Sequence, residues 1–223
     1  MSESGDSCGC CSCGKACNMF CGSEDVPADA MVLFDGTDLS SWVKVGTQDA
    51  PGWKVENGYM EVVPQTGSIC SKELFNDTQL HIEFWLPLMA DKTGQGRANS
   101  GVYLQGRYEL QVLDSYGLDS KDDDCGGIYT LAAPMVNACR PPEQWQTYDI
   151  FFTAPRFNQK GTKTNNARIS VIHNGVWIHH DLEISQATGG EIDHNYAEPG
   201  PVMLQDHHNS IRFRNIWVRK LSV

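Results

Sequence analysis

A carboxylate and a carboxamide two residues apart on an extended segment can hydrogen-bond one polar ligand together. Glu109 and Gln111 stand in that relation within NSGVYLQGRYELQVLD (99–114). The stretch reads as two short strands joined by a tight glycine-containing turn. In the second strand Glu109 and Gln111 share one face while Leu110 and Val112 take the other. A carboxylate beside an amide, backed by an apolar face, costs stability unless both are hydrogen-bonded or used on a ligand. The strand pair is a candidate floor for a polar site; the competing reading is a solvated outer sheet face.

Two further segments alternate in the same way. In QLHIEFWL (79–86), Ile82, Phe84 and Leu86 oppose His81, Glu83 and Trp85; in PVMLQDH (201–207), Val202 and Leu204 oppose Met203, Gln205 and His207. A curved sheet aligning such faces would make a concave, polar and aromatic-edged groove. That suits a sugar, whose ring stacks on Trp or Tyr while its hydroxyls meet carboxylates and amides. The alternative is plain outer surface, with Trp85 covered by a loop.

The elements that must position these residues are strands. Runs of Val, Ile, Phe, Tyr and Trp with period-two alternation, punctuated by Gly, Asn, Asp and Pro, predict strands at 31–34, 42–45, 52–56, 59–63, 67–71, 79–86, 100–105, 108–114, 127–130, 146–153, 167–173, 176–183, 201–205 and 210–221. Asn57-Gly58 and Asn174-Gly175 sit between such runs as hairpin turns. Helix is expected at most as one turn near 185–187. So many short strands imply an all-β sandwich or jelly roll.

A chain of 223 residues can bury a substantial core. Its formal charge of −11, with no basic cluster, excludes nucleic acid as a partner. No apolar run approaches a membrane span, so a soluble globular protein is expected. Six of the nine cysteines (Cys8, Cys10, Cys11, Cys13, Cys17 and Cys21) crowd the first 21 residues. Three readings of this run stand: a disulfide knot, a thiolate cluster for zinc or iron–sulfur, or a tail of uncertain start. Its spacing matches no standard zinc pattern, and it lacks the charged-then-apolar order of a secretory signal. Cross-linking through disulfides or metal is the interaction role such a tail would serve. Residues 22–30 read as a linker, which divides the chain into a cysteine-rich tail with linker (1–30) and a catalytic sandwich (31–223). Cys125 and Cys139 flank one loop and are spaced to bridge.

The segments LFDGTDLSSW (33–42), WKVENGYMEV (53–62), SKELFNDTQLHIEFW (71–85), NSGVYLQGRYELQVLD (99–114), GGIYTLAAP (126–134), QWQTYDIFF (144–152) and GPVMLQDHHNSIRFRNIWVRKL (200–221) resemble, in order, the 3-keto-disaccharide hydrolase family, also described as 3-keto-glucoside 1,2-lyase and 3-keto-2-hydroxyglucal hydratase. The resemblance covers 31–221 and leaves the cysteine-rich tail unexplained. It implies a concanavalin A-like jelly-roll β-sandwich, often periplasmic or secreted, acting on a 3-keto-glycoside. In that chemistry the ketone acidifies the hydrogen on carbon 2, a base removes it, the group on carbon 1 leaves by β-elimination, and water adds to the enone. Such a site needs a base, an electrophile for the enolate and a donor to the leaving oxygen. A divalent cation held by Glu109 and His207 is one way to supply the electrophile.

On that resemblance Glu109 is the base or a metal ligand, Gln111 orients hydroxyls, and His207 is proton donor or metal ligand. Gln205 shares the His207 face, and Asp206 is placed to set the His207 tautomer. Glu83 occupies a similar face in its own strand. Asp114 would enter only through a bulge or a turn at 113–115. Asn99, Tyr103, Tyr129 and Trp145 are rim contacts. The rival readings make Asp206 a turn cap and pair Glu109 with Arg107 or Arg212. For the whole chain, the alternatives are a non-catalytic carbohydrate-binding module and a retaining glycosidase. The retaining glucanases of this fold carry Glu-x-Asp-x-(x)-Glu on one strand, a pattern that Gln111 and Asp114 break.

Overall fold

The computed structural model describes residues 26–221; the expectations for the six amino-terminal cysteines lie outside the described residues. Strands follow in the order β1 (Met31–Phe34), β2 (Trp42–Lys44), β3 (Lys54–Glu56), β4 (Tyr59–Glu61), β5 (Ile69–Phe75), β6 (Thr78–Trp85), β7 (Asn99–Leu104), β8 (Tyr108–Leu113), β9 (Trp145–Thr153), β10 (Arg156–Phe157), β11 (Lys163–Asn165), β12 (Ala167–His173), β13 (Val176–Ile184), β14 (Gly200–Leu204) and β15 (Arg212–Lys220). All pairings are antiparallel. One sheet runs β13-β12-β9-β6-β15-β4-β3, with β1 also on β15, and a five-stranded sheet runs β2-β5-β14-β7-β8. The two pack face to face as a jelly-roll β-sandwich.

Alternation decides what lies between the layers. Leu80, Ile82 and Phe84 of β6, Tyr148, Ile150 and Phe152 of β9, and Phe213 and Val218 of β15 meet Val102, Leu104, Leu110, Val112, Val202 and Leu204 of the smaller sheet in one buried cluster. Each such side chain contributes about 1.5–3 kcal/mol by leaving water, so this face sets the register of the outer one. The hairpin turns form at Asn57-Gly58 and Asn174-Gly175, where all four residues take positive φ, as a twisted two-residue turn demands. Gln105 and Gly106 (φ 52° and 65°) make the same kind of turn between β7 and β8.

Three expectations are corrected. Residues 127–130 form no strand but an isolated bridge, Leu110 to Ile128, alongside β8. The 185–187 turn of helix is absent; the helical turn among the described residues is a 3-10 turn at Gly94–Gly96. Cys125 and Cys139 do not bridge: both are buried free thiols. The Cys125 sulfur contacts the Tyr148 hydroxyl at 3.1 Å, and that hydroxyl donates to the Gln111 carbonyl at 2.8 Å.

Candidate active site

The pocket lies on the outer face of the five-stranded sheet. Cross-strand pairing sets Tyr103 opposite Glu109 and Gly101 opposite Gln111, and opposed residues of an antiparallel pair share a face. Gln95, Asn99, Tyr103, Glu109, Gln111, Tyr129, Gly189, Gly190, Gln205 and His207 enclose about 230 Å³. That falls below the roughly 300–1,000 Å³ of sites for drug-sized ligands, a volume suited to one sugar ring.

Glu109 is the one carboxylate in the lining, and it is only 3% exposed. Its backbone is clamped: Thr188 Oγ1 accepts its N–H at 2.8 Å, and its carbonyl accepts the Tyr129 N–H at 3.2 Å. Its side chain occupies space that a larger residue at Gly101 would fill, since a Cβ there would sit 2.2 Å from Oε1. Among the described residues no ion pair reaches it. Arg107 instead binds both oxygens of Asp193 (2.7 and 3.2 Å), and Arg212 binds Glu61 at 2.6 Å. Burial without a counter-charge pushes the Glu109 carboxyl up to about 7, with the Tyr103 hydroxyl drawing it back in part. Burial, then the nearby Glu109 charge, raises Tyr103 far above its ordinary value, so its hydroxyl stays protonated; it donates to the Gly189 carbonyl at 3.4 Å.

A carboxamide network frames one side. Gln111 Nε2 donates to Gln95 Oε1 (3.0 Å) and the Asp123 carbonyl (3.3 Å), and Asn99 Nδ2 donates to Gln95 O (3.1 Å) and Oε1 (3.0 Å). Both N–H bonds of the Gln111 amide are thereby engaged, so it holds Gln95 in place more than it donates to a ligand. On the other side Gln205 Nε2 donates to the Tyr103 hydroxyl at 3.2 Å. His207 stands exposed at the rim.

Four expected residues lie elsewhere. Glu83 and Trp145 belong to β6 and β9 of the larger sheet, on the opposite side of the sandwich, because alternation fixes a face within a strand but not the sheet. There Glu83 accepts from Arg214 (2.6 Å) and Asn215 (2.9 Å), and Arg214 lies 4.0 Å over the Trp145 ring. Trp85 is covered by Arg212 at 4.3 Å and not by a loop. The outer faces therefore never merge into one Trp-edged groove. Trp145→Phe is expected to leave kcat and KM unchanged while lowering Tm, as steady-state assays and thermal unfolding would read. Asp114 follows the last residue of β8, where Ser115 N–H closes a tight turn on the Leu113 carbonyl at 2.9 Å, yet it is absent from the pocket lining, and its Oδ1 accepts the Tyr116 N–H at 3.4 Å. Asp206 is a turn cap after all: its carboxylate accepts the N–H groups of Gly67 and His208, both at 2.9 Å, rather than bonding His207.

Sequence reasoning missed Gln95, Thr188, Gly189 and Gly190. Gln95 sits in the 3-10 turn and the others in a loop, where no periodicity marks a face; the tandem glycines were the one available signal. As to a cation, the lining supplies one carboxylate and one imidazole. Among the described residues no group of three or more His, Cys, Asp or Glu converges. A zinc site takes three or four protein donors, more than this carboxylate and imidazole supply.

A glycosyl hydrolase candidate from Parabacteroides distasonis shares 39% identity with this chain, covering 87% of it and 84% of the other chain, with a TM-score of 0.78. A second candidate glycosyl hydrolase of that organism, at 17% identity, shares the fold with a TM-score of 0.65 over 87% of this chain and 94% of the other. No curated protein matches the chain. The family model described as 3-keto-alpha-glucoside-1,2-lyase-like domain matches residues 29–219, and the chain belongs to that family.

Proposed function

We propose that this carbohydrate-active chain cleaves 3-keto-glycosides by elimination and hydration, with Glu109 as the base. One observation carries the reading: the carboxyl of Glu109 is buried without a counter-ion and pushed up to about 7. Such a carboxylate is a far stronger base than an exposed one, and it ionises at neutral pH. It takes the hydrogen from carbon 2, the electron pair forms the carbon 1–carbon 2 double bond of the enone, and the aglycone oxygen leaves carbon 1. The protonated Tyr103 hydroxyl, opposite Glu109 across the strand pair, and the Gln205 amide bonded to it are neutral donors suited to an enolate oxygen. His207 at the rim gives the leaving oxygen its proton, and water then adds across the enone.

The lining holds a single carboxylate, which disfavours a retaining glycosidase, since that mechanism takes two about 5–5.5 Å apart. The test is incubation with a 3-keto-α-glucoside, with and without chelator, following enone absorbance and released aglycone. Binding without turnover would replace the enzyme by a carbohydrate-binding module. His207→Asn is expected to slow methyl or sugar aglycones by roughly 10²-fold and 4-nitrophenyl glycosides little, because nitrophenolate departs without a proton. Equal slowing of both series would remove His207 from that role.

A further inference from the structure

One wall of the pocket comes from a loop rather than from the sheet. Residues 185–199 link β13 of the larger sheet to β14 of the smaller one, and Gly189 and Gly190 on that loop reach the pocket lining. Loops of such length without elements of their own usually serve function. Three ties hold this one down. Thr188 sits at the edge of β8: its N–H and hydroxyl donate to the Arg107 carbonyl at 3.1 and 3.2 Å, and its Oγ1 accepts the Glu109 N–H at 2.8 Å. Ile192 packs on the cluster of Val43, Cys70, Tyr103 and Met203, and its N–H donates to the Gly106 carbonyl at 2.8 Å. Asp193 takes Arg107 through both oxygens, at 2.7 and 3.2 Å.

The third tie carries charge. Arg107 is 1% exposed, whereas the Asp193 side chain is 46% exposed. A guanidinium taken out of water needs its counter-charge, and among the described residues Asp193 is its ion-pair partner. The loop also lies hard against the donor of the site. The Tyr103 hydroxyl donates to the Gly189 carbonyl at 3.4 Å, and a Cβ at Gly190 would sit 2.8 Å from the Tyr103 hydroxyl oxygen.

We propose that Arg107 and Asp193 are positioning residues, a latch that clamps the 188–193 loop beside Glu109 and Tyr103 and keeps water off the base. The inference rests on the function proposed above. Neither residue lines the pocket; they act through Thr188 on the Glu109 backbone and through Gly189 and Gly190 on Tyr103. The titratable groups facing Glu109 are Tyr103 of β7, Tyr129 of the segment beside β8 and His207 after β14, and the charge of Glu191 in the loop is felt at Tyr103. Burial leads the causes that raise the Glu109 carboxyl. A released loop admits water, and the carboxyl then falls back toward its ordinary 4.5.

Asp193→Ala tests the latch, and Asp193→Asn is the milder variant that keeps one oxygen for Arg107. Amide exchange at Thr188 and Ile192 is expected to quicken in Asp193→Ala. Isotope-edited NMR of the Glu109 carboxyl carbon, assigned by its loss in Glu109→Gln, reads the base without substrate. It should titrate near 7 in the wild type and closer to 4.5 in Asp193→Ala. On a 3-keto-glucoside, kcat at pH 8 should fall roughly tenfold as the base weakens, the acid limb of kcat/KM should follow the carboxyl down, and Asp193→Asn should lie between. A carboxyl that titrates in Asp193→Ala as in the wild type, or unchanged exchange, would overturn the latch and leave the enzyme standing, even where turnover falls. Where Asp193→Ala does not fold, the same two readings on Asp193→Asn decide. A carboxyl that shifts as expected in a protein with no turnover would retain the latch and overturn the enzymatic reading. A wild-type carboxyl titrating near 4.5 would overturn both.

Discussion

Glu109→Gln is expected to lower kcat on a 3-keto-glycoside by roughly 10²–10⁴-fold, the range a positioned base supplies, while making the fold more stable above neutral pH. The two effects share one cause. The folded-state carboxyl is raised to about 7 from its ordinary 4.5, so folding disfavours its ionised form. The sign follows. Below pH 4.5 the group is protonated folded or unfolded and carries no penalty. As pH climbs from 4.5 through 7 the unfolded chain ionises first, and stability falls by as much as about 3 kcal/mol. Glutamine removes that dependence. Urea unfolding of both proteins at pH 5 and pH 8 should give a stability gain for the variant that is far larger at pH 8. In the wild type, kcat/KM should rise with pH along an acid limb centred near 7. A variant that keeps turnover, or a limb centred near 4.5, would take Glu109 out of the role of base.

Gly101→Ala should produce the second large loss. The added methyl would lie 2.2 Å from Glu109 Oε1 and 2.9 Å from Tyr103 Cε2, far inside contact distance, so the carboxylate must swing away. A displacement on the order of 1 Å at a reacting group costs about 10²-fold, and crowding of a packed site destabilises by about 1–3 kcal/mol. The decisive measurement is a double-mutant cycle on kcat. In the Glu109→Gln background the alanine should cost little more, because the group it displaces is already inert. Additive losses would mean that the glycine serves some other purpose.

Much of this arrangement is legible in the sequence, for a definite reason. The apolar partners of the site residues (Val102, Leu110, Val112, Val202 and Leu204) alternate strictly and are all buried in the core. They force Tyr103, Glu109, Gln111 and Gln205 outward, while the placing of β14 beside β7 is seen only in the sheet order. What alternation does not encode is sheet membership. QLHIEFWL has the same pattern as PVMLQDH, yet its outer residues face the far side of the sandwich, which carries Glu83 and Trp145 away. Loops were the other blind spot. Thr188 and Gly190 reach the site because Arg107, only 1% exposed, binds Asp193 and the Glu198 carbonyl, a tertiary contact across 86 to 91 residues that local spacing cannot announce. Asp206 shows the converse: a well-placed acid whose two oxygens are already taken by backbone amides.

The strand that carries Glu109 is the last in its sheet, a place where open N–H and C=O groups invite a foreign strand. Here the 126–129 segment lies along it: Gln111 N–H donates to the Gly127 carbonyl at 2.9 Å, Gly126 N–H to the Gln111 carbonyl at 2.9 Å, and Tyr129 N–H to the Glu109 carbonyl at 3.2 Å. The segment that supplies the Tyr129 wall is thus also a seal. Removing or rerouting it would unzip the margin of the sheet, and copies of the chain would then be free to stack through their exposed borders.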